Sequence, residues 1–325
     1  MSIPSRPAFR GLHRFAMLLA CAVVGLIAAG ANVTSKDAGL SVPDWPTSYG
    51  GINPPRWYQI ENVRAEHGHR LYAGTVALAT LGLAVALQRR EPRRWVRRLG
   101  WAAFGAVVAQ ALLGGITVLF FLPTAVSVAH AGLAQLFLCL TVMLALATSP
   151  AWRESAALGR AELAPLAQLA AVTTACIYLQ ILLGAVMRHL GAGLAIPDFP
   201  LVFGGLVPDH WNAGIAVHYA HRLGALAVGV LVVATAWRAF RAGGAAAALR
   251  PVAAALVLVV CGQITLGSAV VLSQRATVPN TAHVATGAAL LALSWILTLG
   301  AWRLRRESRA ALGFEGALPA REAVA

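Results

Sequence analysis

The feature that most constrains this chain is a recurring long apolar run. Eight such stretches stand near residues 14–32, 68–88, 100–119, 127–148, 165–187, 214–236, 251–272 and 281–302. An α-helix needs about 20 mostly apolar residues to cross the hydrocarbon of a bilayer, and each run is of that order. Composition agrees: 58% of the 325 residues are apolar, 12% are charged, and the mean hydropathy is +0.70. A soluble domain carries about 25% charged residues. A soluble enzyme, a disordered chain and a disulfide-stapled secreted module are therefore excluded. The prediction is an all-α integral membrane protein with eight transmembrane helices. The first run has no small-x-small cleavage site leading into a soluble domain, so it is read as a retained helix and not as a signal peptide.

The 26 basic and 12 acidic residues leave a net charge of +14. In a soluble protein that excess would suggest nucleic acid. Here the arginines occupy short connections between apolar runs, so they report orientation, and no nucleic-acid partner is predicted. Arg6, Arg10 and Arg14 lead the first run. Arg89, Arg90, Arg93, Arg94, Arg97 and Arg98 follow the second, Arg153 and Arg160 the fourth, Arg238, Arg241 and Arg250 the sixth, and Arg303, Arg305, Arg306 and Arg309 the eighth. Basic connections stay on the cytoplasmic side. Both termini are thus expected there, with segments 33–67, 120–126, 188–213 and 273–280 outside. Trp95, Trp101, Trp152, Trp237 and Trp302 fall at the inner boundary, as an interfacial aromatic belt requires. The four cysteines lie inside apolar runs without a CxxC, so no disulfide framework is expected. The polar, Ala-rich tail beyond about Arg309 is expected to be disordered.

Self-comparison reveals a repeat. Gly39-Leu40-Ser41-Val42-Pro43-Asp44-Trp45-Pro46 returns as Gly193-Leu194-Ala195-Ile196-Pro197-Asp198-Phe199-Pro200, and Tyr49-Gly50-Gly51 as Phe203-Gly204-Gly205, all offset by 154. Glu66-His67-Gly68-His69-Arg70-Leu71 aligns with His218-Tyr219-Ala220-His221-Arg222-Leu223 at 152. Gln110, Leu113, Gly114 and His130 align with Gln263, Leu266, Gly267 and His283 at 153. Four spans per half return the chain to one side. The halves therefore share an orientation, and a pseudo-two-fold axis along the membrane normal should relate them. The expected architecture is two four-helix bundles, residues 1–156 and 157–325, joined through the polar Ala-rich stretch near 149–164.

Four of the nine histidines pair through the repeat: His69 with His221, and His130 with His283. Each stands near the outward end of the second or fourth span of its half, so the two in a half lie at similar depth. Two neutral imidazoles facing across a bundle suit an iron porphyrin with two axial ligands. Zinc would require a third protein ligand that neither half supplies. Of the rest, His13 is cytoplasmic, His189 and His210 are expected to be solvated in an outer loop, and His67 points about 200° from His69 on a helix. His218 occupies the position that Glu66 fills in the first half. Glu66 precedes His69 by one turn, on the same face. A carboxylate at the membrane edge is costly unless it is paired or functional. It is read either as an acid/base or cation-stabilising group beside the porphyrin, or as a helix N-terminal charge favoured by the dipole. Arg70 and Arg222 follow the ligand histidines and fit either porphyrin propionates or the headgroup layer. The Pro-Asp-aromatic-Pro segments fit rigid turns.

Taken together, Glu66-x-x-His69-Arg70, His218-x-x-His221-Arg222, Gln110-x-x-Leu113-Gly114, His130, His283 and the duplicated Gly39–Pro46 loop resemble the haem A synthase family over nearly the whole chain. The resemblance implies an oxidoreductase of the bacterial cytoplasmic (inner) membrane that oxidises the C8 methyl of haem o to the formyl of haem a by successive hydroxylations. It implies Glu66 as catalytic residue and His69 and His130 as axial ligands of the substrate haem in the first half. His221 and His283 would hold haem b in the second half for electron transfer. It also implies work alongside haem O synthase and cytochrome oxidase assembly; the electron acceptor is not identified by any residue pattern. Many bacterial relatives carry cysteine pairs in the outer loops. Here those loops hold Val42 and Ile196 and no cysteine, so the chain resembles a cysteine-free branch in which loop-thiol chemistry is excluded. The competing reading is a di-haem b-type electron-transfer cytochrome, which explains the histidines but gives the Glu66/His218 difference no role. A repeat-built transporter ranks below both, because broken helices and midplane charges are lacking.

Overall fold

A computed structural model describes residues 6–153 and 163–315. The expected boundary between residues 156 and 157, Arg160 and the tail from 316 lie outside the described residues. The elements are α1 (Arg6–Ser35), α2 (Glu61–Arg90), α3 (Arg94–Leu119), α4 (Thr124–Thr148), the single turn α5 (Pro150–Arg153), α6 (Ala164–His189), α7 (Ala213–Arg241), α8 (Arg250–Leu272) and α9 (Thr277–Glu315). Eight of the described helices are long and apolar enough to cross a membrane, one for each run read from the sequence. The described residues contain no β-strand, only isolated bridges at Ser48–Gly51 and Val202–Gly205.

Local chemistry sets several boundaries. Pro165 and Pro251 stand in the first turns of α6 and α8, where a missing N–H costs nothing. Asn212 caps α7 by accepting from the Ile215 N–H at 2.9 Å. The helices outrun the apolar stretches. α2 starts at Glu61, which places Glu66 and His67 within the helix and not in an outer loop. α6 runs to His189, so Arg188 and His189 are helical as well. α9 continues to Glu315, past the expected onset of disorder at Arg309. The reason is common to all three: a hydropathy run measures the apolar slab, while backbone i→i−4 bonds continue beyond its edge.

In the first half α1 packs on α2 and α4, and α3 packs on the same two. In the second, α6 packs on α7 and α9, and so does α8. Across the seam α1 meets α9, α4 meets α6, and α4 meets α9. The neighbour pattern is unchanged when the halves are exchanged. Leu83, Leu87, Phe137 and Leu138 centre one core, which draws in Ala288 and Trp295 from α9. The Trp295 indole N–H donates to the Cys139 carbonyl at 3.0 Å across the seam. Outward faces are strongly apolar, with Leu18, Leu78, Leu226 and Leu258 69%, 73%, 66% and 74% exposed. Apolar surface on that scale fits lipid and not water, and the protein is a multi-pass membrane protein. At the arginine-rich end the guanidiniums of Arg93, Arg241, Arg303 and Arg305 stack on Trp95, Trp237, Trp152 and Trp302.

Candidate functional site

The opposite end carries the duplicated loops, and each is built around an aspartate. Asp44 accepts from the Thr47 hydroxyl and the Tyr49 and Gly50 N–H groups at 2.6, 2.6 and 2.8 Å. Asp198 accepts from the Phe203 and Gly204 N–H groups at 2.9 and 2.8 Å. The Thr47 hydroxyl first, and then the Gly50 N–H, hold the Asp44 carboxyl down at about 2. The Gly204 and Phe203 N–H groups lower Asp198 in the same way. Both loops turn through consecutive positive φ values, 52° and 77° at Tyr49-Gly50 and 51° and 78° at Phe203-Gly204. That is the backbone of a primed hairpin turn, and the second position takes glycine. Trp45-Pro46 and Phe199-Pro200 are both cis.

Each loop is clasped to the following helix by the arginine after the ligand-candidate histidine. Arg70 donates to the carbonyls of Asp44, Thr47 and Val42 at 2.6, 2.9 and 2.8 Å. Arg222 donates to those of Leu201, Ile196 and Asp198 at 2.8, 3.0 and 2.6 Å. Both guanidiniums spend their terminal nitrogens on loop carbonyls, a partner that spacing alone did not suggest for either. The same clasp engages the two unlike residues of the repeat. Glu66, 4% exposed, accepts from the Val42 N–H at 2.8 Å and pairs with Arg70 at 2.6 Å. His218, 2% exposed, accepts from the Ile196 N–H at 3.2 Å and lies 3.2 Å from the Arg222 Nε. One position thus gives an ionic clasp in the first half and a neutral one in the second.

Beneath the loops, each of the four paired histidines lies against a glycine of the neighbouring helix. A Cβ on Gly30 of α1, Gly114 of α3 or Gly267 of α8 would come within 3.1 Å of His69, His130 or His283, and one on Gly184 of α6 within 2.9 Å of His221. Four bare backbone surfaces cradle four imidazoles. Glutamines attend three of them. Gln110 donates to the His130 carbonyl at 2.9 Å. The Gln180 amide nitrogen lies 2.7 Å from the His221 carbonyl and 3.0 Å from its Nδ1. The Gln263 carbonyl lies 3.1 Å from the His283 Nδ1. The Nδ1 atoms of His69 and His130 are buried without a hydrogen-bond partner. His130 lies within electrostatic range of His69, and His283 within that of His221. Among the described residues no three His, Cys, Asp or Glu side chains gather into a metal cluster. The donor set is therefore two imidazoles per half, unsatisfied in the first and glycine-backed in both, which fits an iron already held by four porphyrin nitrogens.

The first site is also covered from the loop side. Trp45 lies on Gly115, beside Gly114, where a Cβ would come within 2.5 Å of the indole. Its counterpart Phe199 is 39% exposed and stacks under Arg222 instead.

A family model described as cytochrome oxidase assembly protein (COX15-CtaA) matches residues 13–295. The haem A synthase of Symbiobacterium thermophilum is 34% identical over 240 residues, covering 70% of this chain and 75% of that protein. The chain belongs to the haem A synthase family. The family member of Caulobacter vibrioides is 30% identical over 339 residues, covering 89% of this chain and 94% of its own length. That of Shouchella clausii is 28% identical over 278 residues, covering 82% and 89%.

Of the residues singled out in the sequence, His130 lies within electrostatic range of His69 and His283 within that of His221. Glu66 and Arg70 lie in one ion pair, and His67 turns away to Ser48 at 2.9 Å and to the edge of Trp57. His210 is exposed, as expected. His189 is not solvated in a loop: it ends α6, partly buried, within electrostatic range of His130. The cysteines Cys21, Cys139, Cys176 and Cys261 are free thiols on helices. Sequence reasoning missed Gly30, Gly184 and Gln180. The first two sit at the 154 offset of the loop repeat and could have been found there. Gln180 is a lone amide in an apolar span.

Proposed function

We propose that this chain oxidises the C8 methyl of haem o to the formyl of haem a through the alcohol, by successive hydroxylations, in a bacterial inner membrane. In this reading His69 and His130 hold the substrate porphyrin, and His221 and His283 hold haem b. The halves form two four-helix bundles about a pseudo-two-fold axis, with the termini cytoplasmic and the loops outside. When bound between His221 and His283, haem b would supply one-electron transfer chemistry.

The observation that carries the reading is inequality inside a near-repeat. Both halves have the glycine-cradled histidine pair, and only the first adds a buried carboxylate one helical turn from its ligand. A pure electron carrier gives a buried carboxylate beside one porphyrin no role; a chemical step on that porphyrin needs a proton acceptor there. In this reading Glu66 takes that role. Arg70 and the Val42 N–H fix its carboxylate, and Trp45 lies over Gly115 on the same side of the bundle. The loop arginines act as clasps that hold each cover down. Supply of haem o by haem O synthase and delivery of haem a to cytochrome oxidase assembly complete the context.

The test is Glu66→Gln in a host that makes haem o. The amide keeps an acceptor for the Val42 N–H and removes the charge. Haem content equal to the parent with loss of haem a supports the enzyme. Undiminished haem a production would assign Glu66 to the clasp alone.

A further inference from the structure

The clasp and the histidine pairs leave one buried cation unexplained. Arg188 stands next to the loop end of α6, and its side chain turns across the seam to α1. Its Nη2 donates to the Ala31 carbonyl at 3.2 Å and to the Ser35 hydroxyl at 2.9 Å. Both acceptors are neutral. Its Nε is buried and has no hydrogen-bond partner. Among the described residues no carboxylate lies at ion-pair distance from it. Asp37, the acid within its electrostatic range, is 85% exposed and faces Arg275 at 3.9 Å. Leaving a charged donor buried and unmatched is costly, and a guanidinium at a helix end would otherwise reach outward to the interface, whereas this one turns inward across the seam.

Further observations locate what it awaits. Arg188 lies within electrostatic range of His283, the ligand candidate on α9. The 154 offset places it opposite Thr34, whose hydroxyl bonds only to the Gly30 carbonyl at 2.9 Å. Arg188 also follows Gly184, which backs His221, by one helical turn, so the cation stands at the seam beside the second site and has no twin in the first.

We propose that Arg188 holds a carboxylate of the porphyrin bound between His221 and His283. The free Nε–H and the adjacent Nη form the planar fork that matches a carboxylate bidentately. A porphyrin held at His283 would bring propionates as its anions. The charge also favours the ferrous state of that haem over the ferric, which makes it the electron acceptor of the pair. The proposal rests on the haem reading of the second histidine pair.

The test uses the full-length protein. Redox titration of the purified holoprotein should show the second-site haem of Arg188→Gln shifted about tenfold toward the ferric state, about 59 mV lower for one electron. Arg188→Lys, which keeps the charge and loses the fork, should shift less. Apoprotein titrated with haem b and with its dimethyl ester should favour the free acid about tenfold in the parent, and this preference should shrink in both variants. If Arg188→Gln does not accumulate, the lysine variant reads the same contact. An unchanged potential and unchanged ester preference would overturn the proposal. His221→Ala separates this from failure of the site itself: retention of both low-spin haem signals in that variant would overturn the ligation on which the proposal stands.

Discussion

Placing a methyl on Gly184 should weaken haem binding while strengthening the helix. A Cβ there would stand 2.9 Å from the His221 Cε1 and 3.4 Å from Nδ1. On the same face of α6, Gln180 touches the same ring at 3.0 Å and is itself wedged against Gly224, so the ring in this orientation leaves no room for a Cβ. In the haem-free protein the imidazole can rotate aside. Once iron fixes its orientation, the overpacking cost of about 1–3 kcal/mol falls on the bound state. At 1.4 kcal/mol per tenfold, affinity drops by about 5- to 100-fold. Alanine meanwhile favours the helix interior over glycine by up to about 1 kcal/mol, so apoprotein stability holds or rises. The assay is Soret titration of Gly184→Ala apoprotein with haem b, beside thermal unfolding. Gly229→Ala and Gly262→Ala are controls, since nothing lies within 4 Å of a Cβ at either position. Parent-like affinity in Gly184→Ala, or equal losses in the controls, would refute the cradle.

Three other outcomes follow from the same geometry. Glu66→Ala, unlike Glu66→Gln, strips both partners from the buried clasp and should cost about 3–5 kcal/mol locally, read as faster hydrogen exchange over residues 38–51. Arg222→Lys cannot reach three carbonyls with one ammonium, so exchange over residues 195–206 should quicken at unchanged haem content. Asp44 has a folded value near 2 against an ordinary 3.8, so its stabilisation is complete above pH 4 and lost as pH falls toward 2. The 44–51 turn should open to pepsin over that window in the parent, and Asp44→Asn should remove the pH dependence.

Much of this was legible in the primary sequence, for identifiable reasons. A bilayer demands continuous apolar runs, so each span announced itself. The repeat then singled out His69, His130, His221 and His283, because two copies of one pattern separate ligand candidates from incidental histidines. Helix ends were less legible. Glu61 to His67 read as loop because they are polar, although α2 includes them, and the same polarity hid Arg188 and His189 at the end of α6. The clasps were invisible because Arg70 and Arg222 bond to backbone carbonyls 21 to 28 positions away in the chain, and carbonyls leave no mark on residue type. Gly30 and Gly184 were overlooked because a glycine in an apolar helix looks like a packing residue until the ring against it is seen.

The central claim is oxidation of a methyl group on a porphyrin held in the first half. It is tested most directly by mass spectrometry of haems extracted from the purified protein, expressed in a host that also makes haem o. The account predicts haem a, or its hydroxylated precursor, only when this protein is present. Haem b alone, with haem o available, would contradict it and leave the di-haem electron carrier as the better description.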